Sequence, residues 1–438
     1  MDEESCLMKN HWSRLVVILL GLWLICAPGT FGYEAPFTPS LTGISPNNIH
    51  AGYYLAMSDI MTGIVVIILG FFSLKGRNWP LWIVALLGVW LQFAPLIFWS
   101  PKAVIYLNDT IIGMLLIVFS ILVTKLPDES WSSNKVVPKG WSYNPSSGMQ
   151  RIPVIFFGFL GWFISRYLSA YQLGYIPTVW DPFFGEGTLH VITSNLSRSF
   201  PVSDAGLGAL AYGLEALMGC KGGAGRWRTM PWMVVIFGLL VVPLGLVSIL
   251  LVMSQPIIVG AWCGLCLITA AGMLIMLALT VDEVLAVCQF MKTTEKPFWK
   301  AFFKGDEQIG AVEDNRPFSL KSMFYGVNIP LNLFLTALMG FWIIASPAVL
   351  HLKGFAANNN HIMGALITVF SIIAWAEVTR VLRYINILIA IWLVVSVWLL
   401  PGYMLLAQVS NILIGLALLF LSVRRGVIRE SYGSWRIY

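Results

Sequence analysis

Apolar runs of about twenty residues, parted by short polar stretches, recur along the whole chain. A helix needs about 20 apolar residues to cross a hydrocarbon core about 30 Å thick. The runs near 14–30, 52–74, 79–99, 103–124, 152–170, 203–219, 231–253, 257–280, 328–347, 357–376, 384–401 and 406–423 therefore predict an all-α integral membrane protein with about twelve spans. The sixth run is short and carries Asp204 and Glu215. Such residues are expensive in lipid unless they face a cavity or a partner.

The polar stretches are not equivalent. With the N-terminus inside, every inner segment holds basic residues: Lys9 and Arg14, then Lys75 and Arg77, then Lys125, Lys135, Lys139 and Arg151. The series continues through Lys221, Arg226 and Arg228, Lys292 to Lys304, Arg380 and Arg383, and ends with Arg424, Arg425, Arg429 and Arg436. The outer segment 29–51 has neither Lys nor Arg. Both termini are thus expected in the cytoplasm, with a bacterial inner membrane as the setting. The apolar run from Leu15 lacks a small-residue cleavage site and reads as the first span.

Composition agrees with this pattern: 58% of residues are hydrophobic and 11% charged, where a soluble domain has roughly 25% charged. The net charge of +6 follows the topology. It points to an inner face beside anionic lipid and away from nucleic acid.

The flanks of the chain repeat. Leu20-Gly21-Leu22-Trp23-Leu24 followed by Ala27-Pro28 returns as Leu87-Gly88-Val89-Trp90-Leu91 followed by Ala94-Pro95, and again as Gly340-Phe341-Trp342 followed by Ser346-Pro347. A polar residue and a Gly four positions later mark the partner helices: Asp59 and Gly63, Asp109 and Gly113, Asn360 and Gly364, Asn411 and Gly415. Residues four apart share a helix face, so each pair offers a close-contact Gly beside a group that can bond across the interface. In the fourth unit the first helix, with Trp392, Trp398 and Pro401, is degenerate. This two-helix unit resembles the SPW repeat family of bacterial membrane proteins. That resemblance implies no chemistry, and the units read as packing modules.

The centre holds Trp262-Cys263-Gly264-Leu265-Cys266 at the outer end of the eighth span. Two cysteines three apart at a helix N-terminus can form a disulfide if the first turn relaxes, and the free N–H groups there favour the reactive thiolate. They can equally pack as small apolar side chains. Cys6, Cys26, Cys220 and Cys288 are scattered, so no four-thiolate metal site is expected.

The segment 152–290 resembles the vitamin K epoxide reductase family, four-helix membrane enzymes that couple thiol oxidation to quinone reduction. In that family a Cys-x-x-Cys opens the last helix, as Cys263 and Cys266 do here. Asp204, Gly208 and Tyr212 match the polar-Gly-Tyr spacing of its second helix. The resemblance implies Cys263 and Cys266 as catalytic residues, a quinone as electron acceptor, and Trp262, Asp204 and Tyr212 as candidates for its site. Cys266, deeper in the membrane, would face the quinone, and Cys263, nearer the surface, would exchange with an incoming dithiol. Each of the three polar or aromatic residues also has a structural alternative: Trp262 as an interfacial anchor, Tyr212 in helix packing, Asp204 as an N-cap.

The chain departs from the family in two places. The loop from about 171 to 202 has no Cys, where family members carry a shuttle pair, and Ala270 stands where many have Tyr. Reductant would have to come from a separate thioredoxin-like protein. That loop instead holds Trp180-Asp181-Pro182-Phe183-Phe184-Gly185, a candidate lid, and His190, which reads either as a proton donor to a reduced quinone or as a solvated loop histidine.

The resulting partition is 1–125, two repeats; 126–150, an inner linker; 151–295, the four-helix redox bundle; 296–325, an inner linker; and 326–438, two repeats and a basic tail. Both linkers, charged and rich in Ser and Pro, read as solvated connectors. Three functions fit: a membrane thiol oxidoreductase with quinone as acceptor, a non-catalytic scaffold or sensor built on a degenerate redox bundle, or a transporter. The transporter fits least, because the repeats run parallel and no polar midplane site stands out.

Overall fold

The computed structural model describes residues 3–33, 50–122, 136–306, 311–313 and 319–438, with side chains from residue 12 onward except at 136 and 311–313. Most of the outer segment 29–51 and parts of both linkers lie outside the described residues. Twelve long helices are present among the described residues: α1 (Glu3–Phe31), α2 (Ala51–Leu74), α3 (Trp79–Ile97), α4 (Ala103–Ile117), α5 (Gly148–Gln172), α6 (Asp204–Cys220), α7 (Pro231–Ser254), α8 (Gly264–Thr293), α9 (Leu331–Val349), α10 (Gly354–Ile373), α11 (Ile385–Leu399) and α12 (Leu405–Val423). The protein is an all-α membrane protein, and ten of these segments are long and apolar enough to cross a bilayer. The other two expected spans are α6 and α10. The first has only 17 residues and buries Glu215; the second opens on Asn358, Asn359, Asn360 and His361.

The eighth span differs from its expected bounds of 257–280. A π-helical turn, Gln255–Val259, follows α7 and ends at Gly260, whose φ of 73° lies in the left-handed region. The next helix therefore starts only at Gly264. It then runs past Asp282 and Glu283, because those carboxylates have partners: Tyr143 for the first, Ser146 and Arg226 for the second.

Two compact units divide the chain: residues 1–130 with 159–221, and residues 131–158 with 222–438. In the first, α1 crosses α2 and α3 crosses α4 at facing glycines. A Cβ on Gly63 would stand 2.6 Å from the Gly21 carbonyl oxygen, and one on Gly113 would stand 2.5 Å from that of Gly88. Only hydrogen fits at these crossings, and such backbone approach is how helices associate in lipid, where no hydrophobic force separates tails from side chains. Val17, Leu24, Val66, Val84, Leu91 and Leu116 pack around them. In the same unit Gly206 meets Leu96, and Gly161 lies under the ring of Tyr212.

In the second unit, α9 and α10 cross the same way, with a Cβ on Gly364 2.7 Å from the Gly340 carbonyl. In the degenerate fourth repeat Gly415 instead meets Val394 and the Ala390 carbonyl. Tryptophans tie the repeats in reciprocal pairs. Trp23 donates to Asn108 and Trp90 to Ser58, at 2.8 and 2.9 Å. Trp392 donates to Asn359 and Trp342 to Ser410, at 2.8 and 3.0 Å. Each acceptor immediately precedes the polar residue of the partner repeat. By this pattern repeat four is the counterpart of repeat one, and repeat three that of repeat two.

The two connectors differ where they are described: residues 137–150 of the first are largely buried, whereas most of 296–304 and 319–325 of the second are exposed or half-buried. β1 (Val136–Pro138) pairs antiparallel with β2 (Ala311–Glu313). Trp141 and Tyr143 are buried in an aromatic cluster with Trp227, Phe290 and Tyr432. The tail joins the same cluster: the Arg429 and Glu430 amides and the Tyr432 hydroxyl all donate to the buried Glu377 carboxylate. Charge and Ser/Pro content suggested water. In the first connector Trp141 and Tyr143 decide for burial instead, since each large ring removes about 150–250 Å² from solvent; in the second, Phe298, Trp299 and Phe303 remain exposed.

Candidate redox site

The turn between α7 and α8 is built by one buried side chain. Gln255 sits in the π-helical turn, and its backbone carbonyl accepts from Gly260 N–H at 2.8 Å. Its side-chain Oε1 accepts from Cys263 N–H at 3.0 Å. The π turn and the left-handed Gly260 fold the segment back so that Cys263 becomes the N-cap of α8, with φ −108° and ψ 106°. Sequence reasoning missed Gln255; the one amide side chain in the mostly apolar run 240–259 was the available signal.

Cys263 and Cys266 form a disulfide, with Cα atoms 5.2 Å apart. Cys263 lies just outside the first helical turn, in extended backbone, which meets the requirement that the first turn relax. Its Sγ accepts from Cys266 N–H at 3.1 Å. The same contact, with the helix N-terminus behind it, would hold a Cys263 thiolate after reduction.

Burial changes the expected roles in one respect. Cys263, read as the surface-facing partner of an incoming dithiol, is wholly buried, whereas Cys266, one turn into the helix, is half-buried. As the N-cap of α8, Cys263 directly follows the Gly260–Trp262 turn and has no exposed surface of its own.

Trp262 lies edge-on to His361 of α10, with ring centroids 5.8 Å apart and planes at 73°. Helix α10, from the third repeat, packs against α7, α8 and the π-helical turn. His361 thus brings a repeat module to the residue next to the disulfide. The reading of the repeats as separate packing units gave no reason to look for it.

Asp204 and Tyr212 belong to the other compact unit. Ser203, not Asp204, is the N-cap of α6; its hydroxyl accepts from Gly206 N–H. Asp204 is the hub beside it, with Oδ1 accepting from Gln172, Ser197 and the Ala205 amide. Tyr212 is buried, its ring filling the space left by Gly161. In the loop of the same unit, Asp181 accepts from the Phe183 and Phe184 amides and from Thr188, while Trp180, Phe183 and His190 are exposed.

Residues 152–281 match the model of the vitamin K epoxide reductase family, and residues 11–123 and 331–425 match that of the SPW repeat domain. No curated protein and no solved structure matches the chain. The chain therefore carries a vitamin K epoxide reductase family segment between two stretches of SPW repeats. The family assignment points to membrane thiol–disulfide redox chemistry.

Proposed function

We propose that the protein oxidises the dithiol of a thioredoxin-like protein and passes the electrons through Cys263 and Cys266 to a quinone. The observation that carries this reading is the disulfide at the N-cap of α8, inside the segment that matches a redox family.

The chemistry follows from thiol exchange. A partner thiolate attacks Cys263 Sγ; the Cys263–Cys266 bond breaks, and Cys266 leaves with the electron pair and takes up a proton. The second partner thiolate then attacks the partner sulfur of the mixed disulfide and releases Cys263. The leaving Cys263 thiolate is stabilised by Cys266 N–H and the first turn of α8. The partner has lost two electrons and two protons, now held by the Cys263 and Cys266 thiols. A quinone supplies the oxidising capacity, accepting two electrons and two protons. The half-buried Cys266, flanked by Leu265, Leu267 and Ile268 at the start of an apolar helix, suits a lipid-soluble acceptor. Trp262 borders the pair, and displacement of the Gly260–Trp262 turn admits the partner. The distribution of basic residues supports cytoplasmic termini and an outer Cys263 end, where thiol oxidation is sustained. Residues 151–295 form the redox module of this assignment.

The test is dithiol-dependent quinone reduction by the full chain in lipid vesicles. Cys263→Ser and Cys266→Ser should each abolish it; unchanged rates would sink the assignment. The enclosure of Cys263 favours a second reading, a non-catalytic scaffold or sensor. A Cys263–Cys266 disulfide that stays inert to thioredoxin-like reductants and to quinol would establish that one instead.

A further inference from the structure

Each SPW pair has its own polar centre of the same pattern, and the two centres differ in charge. In the second pair, Asn360 and Asn411 exchange amide hydrogen bonds: Asn411 Nδ2 donates to Asn360 Oδ1 at 2.9 Å, and Asn360 Nδ2 to Asn411 Oδ1 at 3.3 Å. Tyr403 donates to Asn360 Oδ1 at 2.8 Å and accepts from Asn359 at 2.8 Å. The matching positions of the first pair are Asp109 for Asn360, Asp59 for Asn411, Asn108 for Asn359 and Tyr33 for Tyr403. Tyr33 donates to Asp59 Oδ2 at 2.7 Å and lies 3.4 Å from Asp109 Oδ1. Asn108 donates to Asp109 Oδ1 at 3.2 Å.

The amide pair brings its own donors; the carboxyl pair has none unless a proton supplies one. Asp59 and Asp109 are both completely enclosed, and Asp59 Oδ1 and Asp109 Oδ2 accept from no donor among the described residues. Two adjacent carboxylates in such a place cannot both be ionised without a large electrostatic cost. Among the described residues the surroundings offer no counter-charge. Tyr33 comes from the turn after α1; burial, with the two carboxyls next to it, keeps its hydroxyl protonated far above the usual range. From α3 comes Gln92, whose amide is given to the Thr110 carbonyl. Lys102, at the N-cap of α4, directs its ammonium to the carbonyls of Phe31 and Gly32. His50, at the start of α2, lies against Tyr54.

We propose that Asp59 and Asp109 form a proton-binding site, in which a proton held on one carboxyl bridges to the other. Asn360 and Asn411 are its permanently neutral copy. The first SPW pair is thus proton-sensitive and the second is not. The proton is taken from and returned to water, with no other bond changed.

Infrared spectroscopy of the full chain in detergent tests this. At neutral pH the wild type minus Asp59→Asn/Asp109→Asn difference spectrum should contain a protonated-carboxyl C=O band, which disappears as the wild type is titrated to alkaline pH. The double variant copies the native Asn360–Asn411 arrangement, so it is expected to fold. The reverse change, Asn360→Asp with Asn411→Asp, should add a comparable band and decides the matter if the first variant fails to assemble. Absence of the band from the wild-type difference, or from the reverse variant, overturns the proposal. A sodium- or potassium-dependent stability without a carboxyl band would replace the proton by a metal cation and overturn it equally.

Discussion

The ring of Trp262 meets that of His361 edge to face, joining the residue before the Cys263–Cys266 disulfide to an SPW helix. Edge-to-face pairs are worth about 0.5–1.5 kcal/mol beyond area burial, and 1.4 kcal/mol is a factor of about ten. His361→Ala should therefore free the Gly260–Trp262 turn and raise the rate at which a small thiol reduces the disulfide about two- to tenfold. Reduction kinetics followed by alkylation of Cys263 give the readout. An unchanged rate would show that the contact does not hold the turn closed.

Gln255→Ala removes the acceptor of Cys263 N–H in a buried turn. A stranded buried donor costs about 1–3 kcal/mol. The variant should lose that much stability and expose Cys263 to alkylation after mild reduction. Thermal unfolding in detergent together with alkylation reads both, and wild-type values in the two assays would refute the role given to Gln255.

Glu283 makes two contacts of 2.6 Å with Arg226, each side chain almost wholly enclosed. Breaking a buried pair on one side costs about 3–5 kcal/mol, while replacing both partners by apolar residues is often neutral. Glu283→Gln should lower the unfolding midpoint sharply, and Arg226→Met/Glu283→Leu much less. Ser146 also bonds Glu283, so some loss is expected to remain in the double variant.

Glycines at the crossings should tolerate no side chain. Gly113→Ala places a Cβ 2.5 Å from the Gly88 carbonyl and 2.8 Å from Gln92 Nε2; overpacking of this kind costs about 1–3 kcal/mol. A Cβ added at Gly29, also within a helix, would meet nothing within 4 Å. Gly29→Ala should be neutral or stabilising by up to about 1 kcal/mol. Equal melting temperatures for the two variants would remove the close-crossing argument.

Period and length made the helices legible, because a span of about twenty apolar residues has no other stable form in lipid. The Cys-x-x-Cys was legible as a pair with recognisable chemistry. What surrounds it was not, because Gln255 and His361 owe their places to a π-helical turn and to packing between segments a hundred residues apart. Residues 136–148 were misread for a related reason: their Ser, Pro and Lys content says water, and only the fold reveals that Trp141 and Tyr143 have aromatic partners from residues 227, 290 and 432.

The tail contact on Glu377 has a consequence in time. Glu377 obtains its three donors from Arg429, Glu430 and Tyr432, and Trp141 and Gly140 find partners in Tyr432 and Gly433. None of these bonds can form until more than four hundred residues have been made. A chain stopped short of Arg429 would leave the Glu377 carboxylate without these three donors and the aromatic cluster without Tyr432, so this region closes only as the last residues are added.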